Sequence, residues 1–193
     1  TTKNLQMNKI QYASSIGVLF LAAFPAFGVG QYLLESTITS ERHIGSLLIV
    51  VNSLIVFAIG LLLYKTLAQH YKIVGIVYLI TRSIESMLLS LMLLTMPIDV
   101  DIFSKPTLYH LAMLILGVGS LPMCLLIWKR DLVPPWLGMW GLLGYGIFAI
   151  GFLFELFGKP WSMYFLWLGG LWELFFGVWL IATIGNENNF QIK

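Results

Sequence analysis

IVGIVYLITRSIESMLLSLMLLTM, residues 73–96, is the stretch that decides the fold. A hydrocarbon core of about 30 Å is crossed by roughly 20 apolar residues rising about 1.5 Å each, and this run is long enough. Its only charges are Arg82 and Glu85, set one helical turn apart near its middle. Charged side chains at that depth are rare and mark function by default. A second carboxylate, Glu173, lies at the same depth of the last apolar run of the chain.

Working outward, the other long apolar runs are Ile16 to Leu33, Ile44 to Tyr64, Thr107 to Trp128, Trp136 to Phe157 and Tyr164 to Ile184. With Ile73 to Met96 they make six transmembrane segments in one integral membrane domain over residues 1–193, and the expected class is an all-α bundle. Composition agrees: 59% of residues are hydrophobic and 10% charged, with a mean hydropathy of +0.87, far from the usage of a soluble domain. The one cysteine, Cys124, falls inside the fourth run. It excludes an intrachain disulfide, a redox pair and a cysteine-ligated metal site, and reads as a small buried apolar residue.

Orientation follows from the cations, because cytoplasmic loops retain them during insertion. Lys3, Lys9, Lys65, Lys72, Lys129, Arg130 and Lys193 fall on one side, against Arg42, Lys105 and Lys159 on the other. Both termini are therefore expected in the cytoplasm, with the acidic loop Asp99-Val100-Asp101 outside. The first run has the basic start of a signal peptide, but its apolar stretch is too long and no small-x-small cleavage site follows, so it reads as retained. A net charge of +2 is explained by topology and forms no dense patch, which argues against nucleic acid as a partner. Trp128 and Trp136 inside, with Tyr32 and Trp161 outside, suit interfacial belts. Pro134 and Pro135 stop the fourth helix, and Pro135 can open the fifth.

Small residues predict how the helices associate. Gly138, Gly141 and Gly144 make a stripe on the fifth run along which another backbone can approach closely. Pro122, after Gly117 and Gly119, and Pro25, before Gly28 and Gly30, are expected to kink the fourth and first helices.

Since successive runs cross in alternate directions, Glu85, Glu173, Asn52 and Tyr145 come to one layer from four different helices. Tyr78, Arg82 and Glu85 share a face of the third helix by their spacing. Insertion of three unpaired charges costs on the order of 8 to 10 kcal/mol, comparable with the stability of a whole domain. Arg82, Glu85 and Glu173 are therefore expected to pair, with Asn52, Tyr145 and Tyr78 completing a binding site that points inward. Two carboxylates against one guanidinium leave a negative charge over, to be met by a proton, a cation or a ligand. The competing reading is a salt bridge that serves as glue between the third and sixth helices.

Other polar positions carry less. Glu155 and His110 sit near outer helix ends, within reach of headgroup water or of a shared vestibule, while His43 and His70 fall in loops. The scattered histidines make no metal or haem site, and no lysine lies mid-helix for a Schiff base. No hydrolase, zinc-protease or nucleotide signature occurs. No catalytic residue, metal or cofactor is expected.

The segments Leu62 to Leu67, Arg82 to Glu85, Leu132 to Gly138 with Gly144-Tyr145, and Trp172 to Glu173 running on to Leu180 resemble domain-of-unknown-function family 4386, small prokaryotic membrane proteins. The resemblance runs from Ile16 to Gly185 and rests most on Arg82, Glu85, Pro134, Trp136, Leu137, Gly138 and Glu173. It departs at Ser14 and Ser15, where the family has a basic residue. It implies a multi-pass protein of a prokaryotic cytoplasmic membrane and transfers no activity. The partners expected are the bilayer and a small hydrophobic or ionic ligand. Three classes stay open: a binding or transport protein for a small ligand, ion or proton; a noncatalytic subunit, sensor or immunity-type protein; and a membrane enzyme acting on a lipid-soluble substrate. A three-plus-three inverted repeat with Glu85 and Glu173 as counterparts would favour the first, and similarity between the halves is faint.

Overall fold

The computed structural model describes residues 2–94 and 104–182, with backbone alone for residues 2–11 and Met163. Six helices follow one another: α1 (Thr2–Leu34), α2 (Thr39–Leu67), α3 (Lys72–Leu94), α4 (Lys105–Lys129), α5 (Pro135–Leu156) and α6 (Ser162–Ala182). There is no strand among the described residues. Each helix is long and apolar enough to cross a bilayer. The shortest, α6, has 21 residues and so reaches about 32 Å.

The helices outrun the apolar segments at most ends. α1 begins at Thr2 and α2 at Thr39, ahead of the expected Ile16 and Ile44. Once a helix is nucleated, each further residue adds a hydrogen bond at little cost, so polar residues beyond the hydrocarbon prolong it. The expected ends at Met96 and Ile184, and the acidic loop Asp99-Val100-Asp101, lie outside the described residues. α1 and α4 run unbroken through Pro25 and Pro122. The Ser104 hydroxyl accepts from Thr107 N at 3.4 Å to cap α4, and Pro135 stands at the start of α5 as expected.

Every helix packs on its neighbours in the chain, and α6 returns to α1, so the bundle closes into a ring. Small residues set these seams. A Cβ at Gly141 would lie 2.6 Å from Trp172 Cε2, one at Gly138 2.8 Å from Trp128 Cα, and one at Gly144 3.0 Å from Leu168 O. The glycine stripe of α5 therefore meets α4 and α6, as its spacing predicts. At the α1/α6 seam Gly17 and Gly177 face each other's carbonyl oxygens. Apolar residues such as Val18, Leu54, Ile80, Leu143 and Phe175 are exposed on the outer surface, which suits hydrocarbon as solvent. Tyr32, Trp136 and Trp161 are exposed near helix ends.

α3 and α6 are not packed neighbours; they face one another across the middle of the ring. Whatever joins them must be side chains reaching through the interior.

Candidate functional site

Tyr78, Arg82 and Glu85 occupy one face of α3, and all three are buried. The Arg82 guanidinium donates from Nε to the Tyr78 hydroxyl at 2.8 Å, from Nη1 to Glu85 Oε2 at 3.0 Å and from Nη2 to Glu173 Oε1 at 2.6 Å. The last bond spans the ring from α3 to α6. Glu173 Oε1 also accepts from the Tyr145 hydroxyl of α5 at 2.6 Å. Arg82 Cζ stands 5.4 Å from the centroid of the Phe20 ring on α1 and 5.2 Å from that of Tyr78. On the α2 side, a Cβ at Gly60 would come 2.7 Å from Arg82 Cβ. Residues of α1, α3 and α6 thus meet the guanidinium, α2 lies against the Arg82 stem and α5 reaches the cluster through Glu173, and Arg82 is 2% exposed. Burial of this kind is tolerable because each nitrogen of the planar fork donates to an acceptor and ring faces lie beside it.

The carboxylates are less completely used. Among the described residues, Glu85 Oε1 and Glu173 Oε2 take part in none of these bonds. Both glutamates line a cavity of about 340 Å³ inside the ring, whose walls come from all six helices. Its lining is apolar and aromatic apart from the Arg82 cluster, Asn52 and the tyrosines Tyr109 and Tyr145. The size falls in the range of about 300 to 1,000 Å³ in which small-molecule sites are found. Chemically the arrangement offers hydrogen-bond acceptors, and a formal negative charge over when both carboxyl groups are ionised, at the polar end of a largely apolar chamber.

Of the residues expected at the site, Arg82, Glu85, Glu173, Tyr78 and Tyr145 form one hydrogen-bonded cluster. Asn52 stands apart from it and reaches only the cavity wall. Phe20 and Gly60 are contacts the sequence analysis did not single out. An aromatic residue in an apolar helix carries no mark of its own, whereas a glycine of α2 at the depth of Arg82 is a readable hint of close approach. The two outer groups also meet: His110 Nε2 lies 4.0 Å from Glu155 Oε1, and Glu155 Oε2 accepts from Ser162 N at 3.0 Å, capping α6. Among the described residues, no three His, Cys, Asp or Glu side chains gather as a metal-ion site.

Compared with known families, residues 98–183 match the domain of unknown function DUF4386. The matched stretch takes in α4, α5 and α6, and with them Tyr145, Glu173 and the segment Leu132 to Gly138. Arg82 and Glu85 lie outside it. The chain thus resembles the family over its second half, and a family of unknown function brings no activity with it. No curated protein and no solved structure matches the chain.

Proposed function

We propose that this multi-pass membrane protein binds a small ligand at mid-membrane, as a carrier does, with Arg82, Glu85 and Glu173 as the polar anchor and Tyr78, Tyr145 and Asn52 beside them. The observation that carries this reading is the cavity of about 340 Å³ that reaches the charged cluster and is walled by both glutamates. A cluster serving only as glue gains nothing from a chamber at its side, since water or void there weakens the pairing. We place the protein in a prokaryotic cytoplasmic membrane on its resemblance to family 4386, with both termini inside on the partition of loop cations.

The test compares the wild type with a variant carrying Arg82→Met, Glu85→Gln and Glu173→Gln together. Replacing a whole buried ionic group by neutral side chains of similar volume is often tolerated, so the fold is expected to survive. Native mass spectrometry of both proteins, released gently from membranes, reads small molecules held without covalent bonds. The wild type is expected to carry a bound molecule that the folded triple variant lacks. If both carry the same molecules, or neither carries any, the cluster is structural.

A further inference from the structure

The cavity is closed unevenly. Where α1 and α6 meet at Gly17 and Gly177, a Cβ on Gly17 would lie 2.6 Å from the Gly177 carbonyl oxygen, so the backbones touch. Further along the same seam, a Cβ on Gly170 would meet the edge of the Phe24 ring at 3.5 Å, and one on Gly28 would meet nothing within 4 Å. Gly28 and Trp167, both cavity-lining, are exposed on the outer surface, Trp167 to 68%. The cavity therefore reaches exposed residues on both α1 and α6, two helices long and apolar enough to cross a membrane.

The walls say what could come through. Phe24, Phe27, Tyr109, Phe148, Tyr145 and Trp167 surround the chamber, and aromatic faces attract organic cations. At the inner end, the Arg82 guanidinium donates to Tyr78, Glu85 and Glu173, so that two carboxyl groups face one cation. With both carboxylates ionised, an anion would meet one formal negative charge over at that end. A small inorganic cation would have to shed its water with few oxygens to replace it.

Resting on the ligand-binding reading above, we propose that the α1/α6 seam beside Gly28 and Trp167 is a lateral portal through which a lipophilic organic cation, an amine or onium ion with an apolar body, passes from the bilayer to Glu85 and Glu173. The apolar body occupies the aromatic chamber and the positive centre lies against the two free carboxylate oxygens.

Tetraphenylphosphonium and tetraphenylborate have one shape and opposite charge, and each can be titrated onto the protein in lipid nanodiscs, with empty nanodiscs subtracted. The wild type is expected to prefer the phosphonium by at least on the order of tenfold. Glu173→Gln keeps acceptors for Arg82 and Tyr145 but removes the surplus charge, and is expected to reduce that preference by about tenfold. Gly28→Trp, placed where a side chain has room, is expected to leave the melting temperature unchanged and to slow association by roughly tenfold, measured by stopped-flow fluorescence. Equal binding of the two ions, a preference untouched by Glu173→Gln, or unslowed association in Gly28→Trp overturns the proposal. If the phosphonium fails to bind while native mass spectrometry still shows a molecule lost in the triple variant, the cation portal is wrong and the ligand-binding reading stands. If both experiments fail, both readings fall.

Discussion

Arg82 illustrates how a charge is made tolerable away from water. Its two ion pairs, its bond to Tyr78 and its two ring contacts replace the hydration it gave up. Removing only the arginine leaves the carboxyl groups of buried Glu85 and partly buried Glu173 without their cation, which costs more than removing the whole group. Arg82→Met is therefore expected to destabilise the protein by about 3 to 5 kcal/mol, and the triple variant with Glu85→Gln and Glu173→Gln by clearly less. Thermal unfolding in detergent checks the order, and equal stability of wild type and Arg82→Met would remove the argument. Tyr145→Phe deletes one donor to Glu173 Oε1 and leaves the ion pair, so a loss of about 1 kcal/mol is expected in the same assay.

At the scale of helices, association in lipid depends on close fit, because hydrocarbon is as apolar as the surfaces it covers. The α5/α6 seam shows the consequence. Trp172 donates Nε1 to the Leu137 carbonyl at 2.7 Å, which fixes its indole over Gly141. Any larger residue at Gly141 must displace a pinned ring. Gly141→Leu is expected to cost at least about 1 to 3 kcal/mol, seen as a lower melting temperature. Gly146→Ala is the matched control, since a Cβ there meets nothing within 4 Å. It is expected to be neutral or to stabilise α5 by up to about 1 kcal/mol, because alanine restricts the unfolded chain more than glycine does. Equal losses in the two variants would mean that the fit at Trp172 is not what holds the seam.

For the molecule as a whole, an even number of crossings puts both ends on one side. Contacts at the connections follow the same alternation. Arg130, after α4, stands with Cζ 5.7 Å from the Tyr71 ring ahead of α3, while Lys105 at the start of α4 pairs with Glu35 after α1 at 3.8 Å. If the cation-rich ends are cytoplasmic, a cysteine placed at Lys159 is labelled by a membrane-impermeant thiol reagent in intact cells. One placed at Lys72 is labelled only after the cells are opened. Cys124 is buried, so its background is low. The opposite pattern would invert the orientation and leave the ring and the cavity as they are.

Six helices, their near ends, the glycine seam of α5 and the shared depth of Arg82, Glu85 and Glu173 were legible in the amino-acid order. Each is a local consequence of the solvent: hydrocarbon requires apolar runs with internally bonded backbone, and it makes every charge inside such a run conspicuous. The order of helices around the ring was not legible, nor the position of α3 opposite α6 or the cavity between them. In a soluble helix an apolar stripe points to the core, but here the lipid-facing sides are apolar too, so periodicity loses its direction. Only packing tells Val18, exposed, from Phe20, buried against Arg82, two positions apart on the same apolar helix. Asn52 had the right depth, yet its side chain stands outside the hydrogen-bonded cluster, because depth follows from counting residues whereas contact depends on how each helix is rotated against the others.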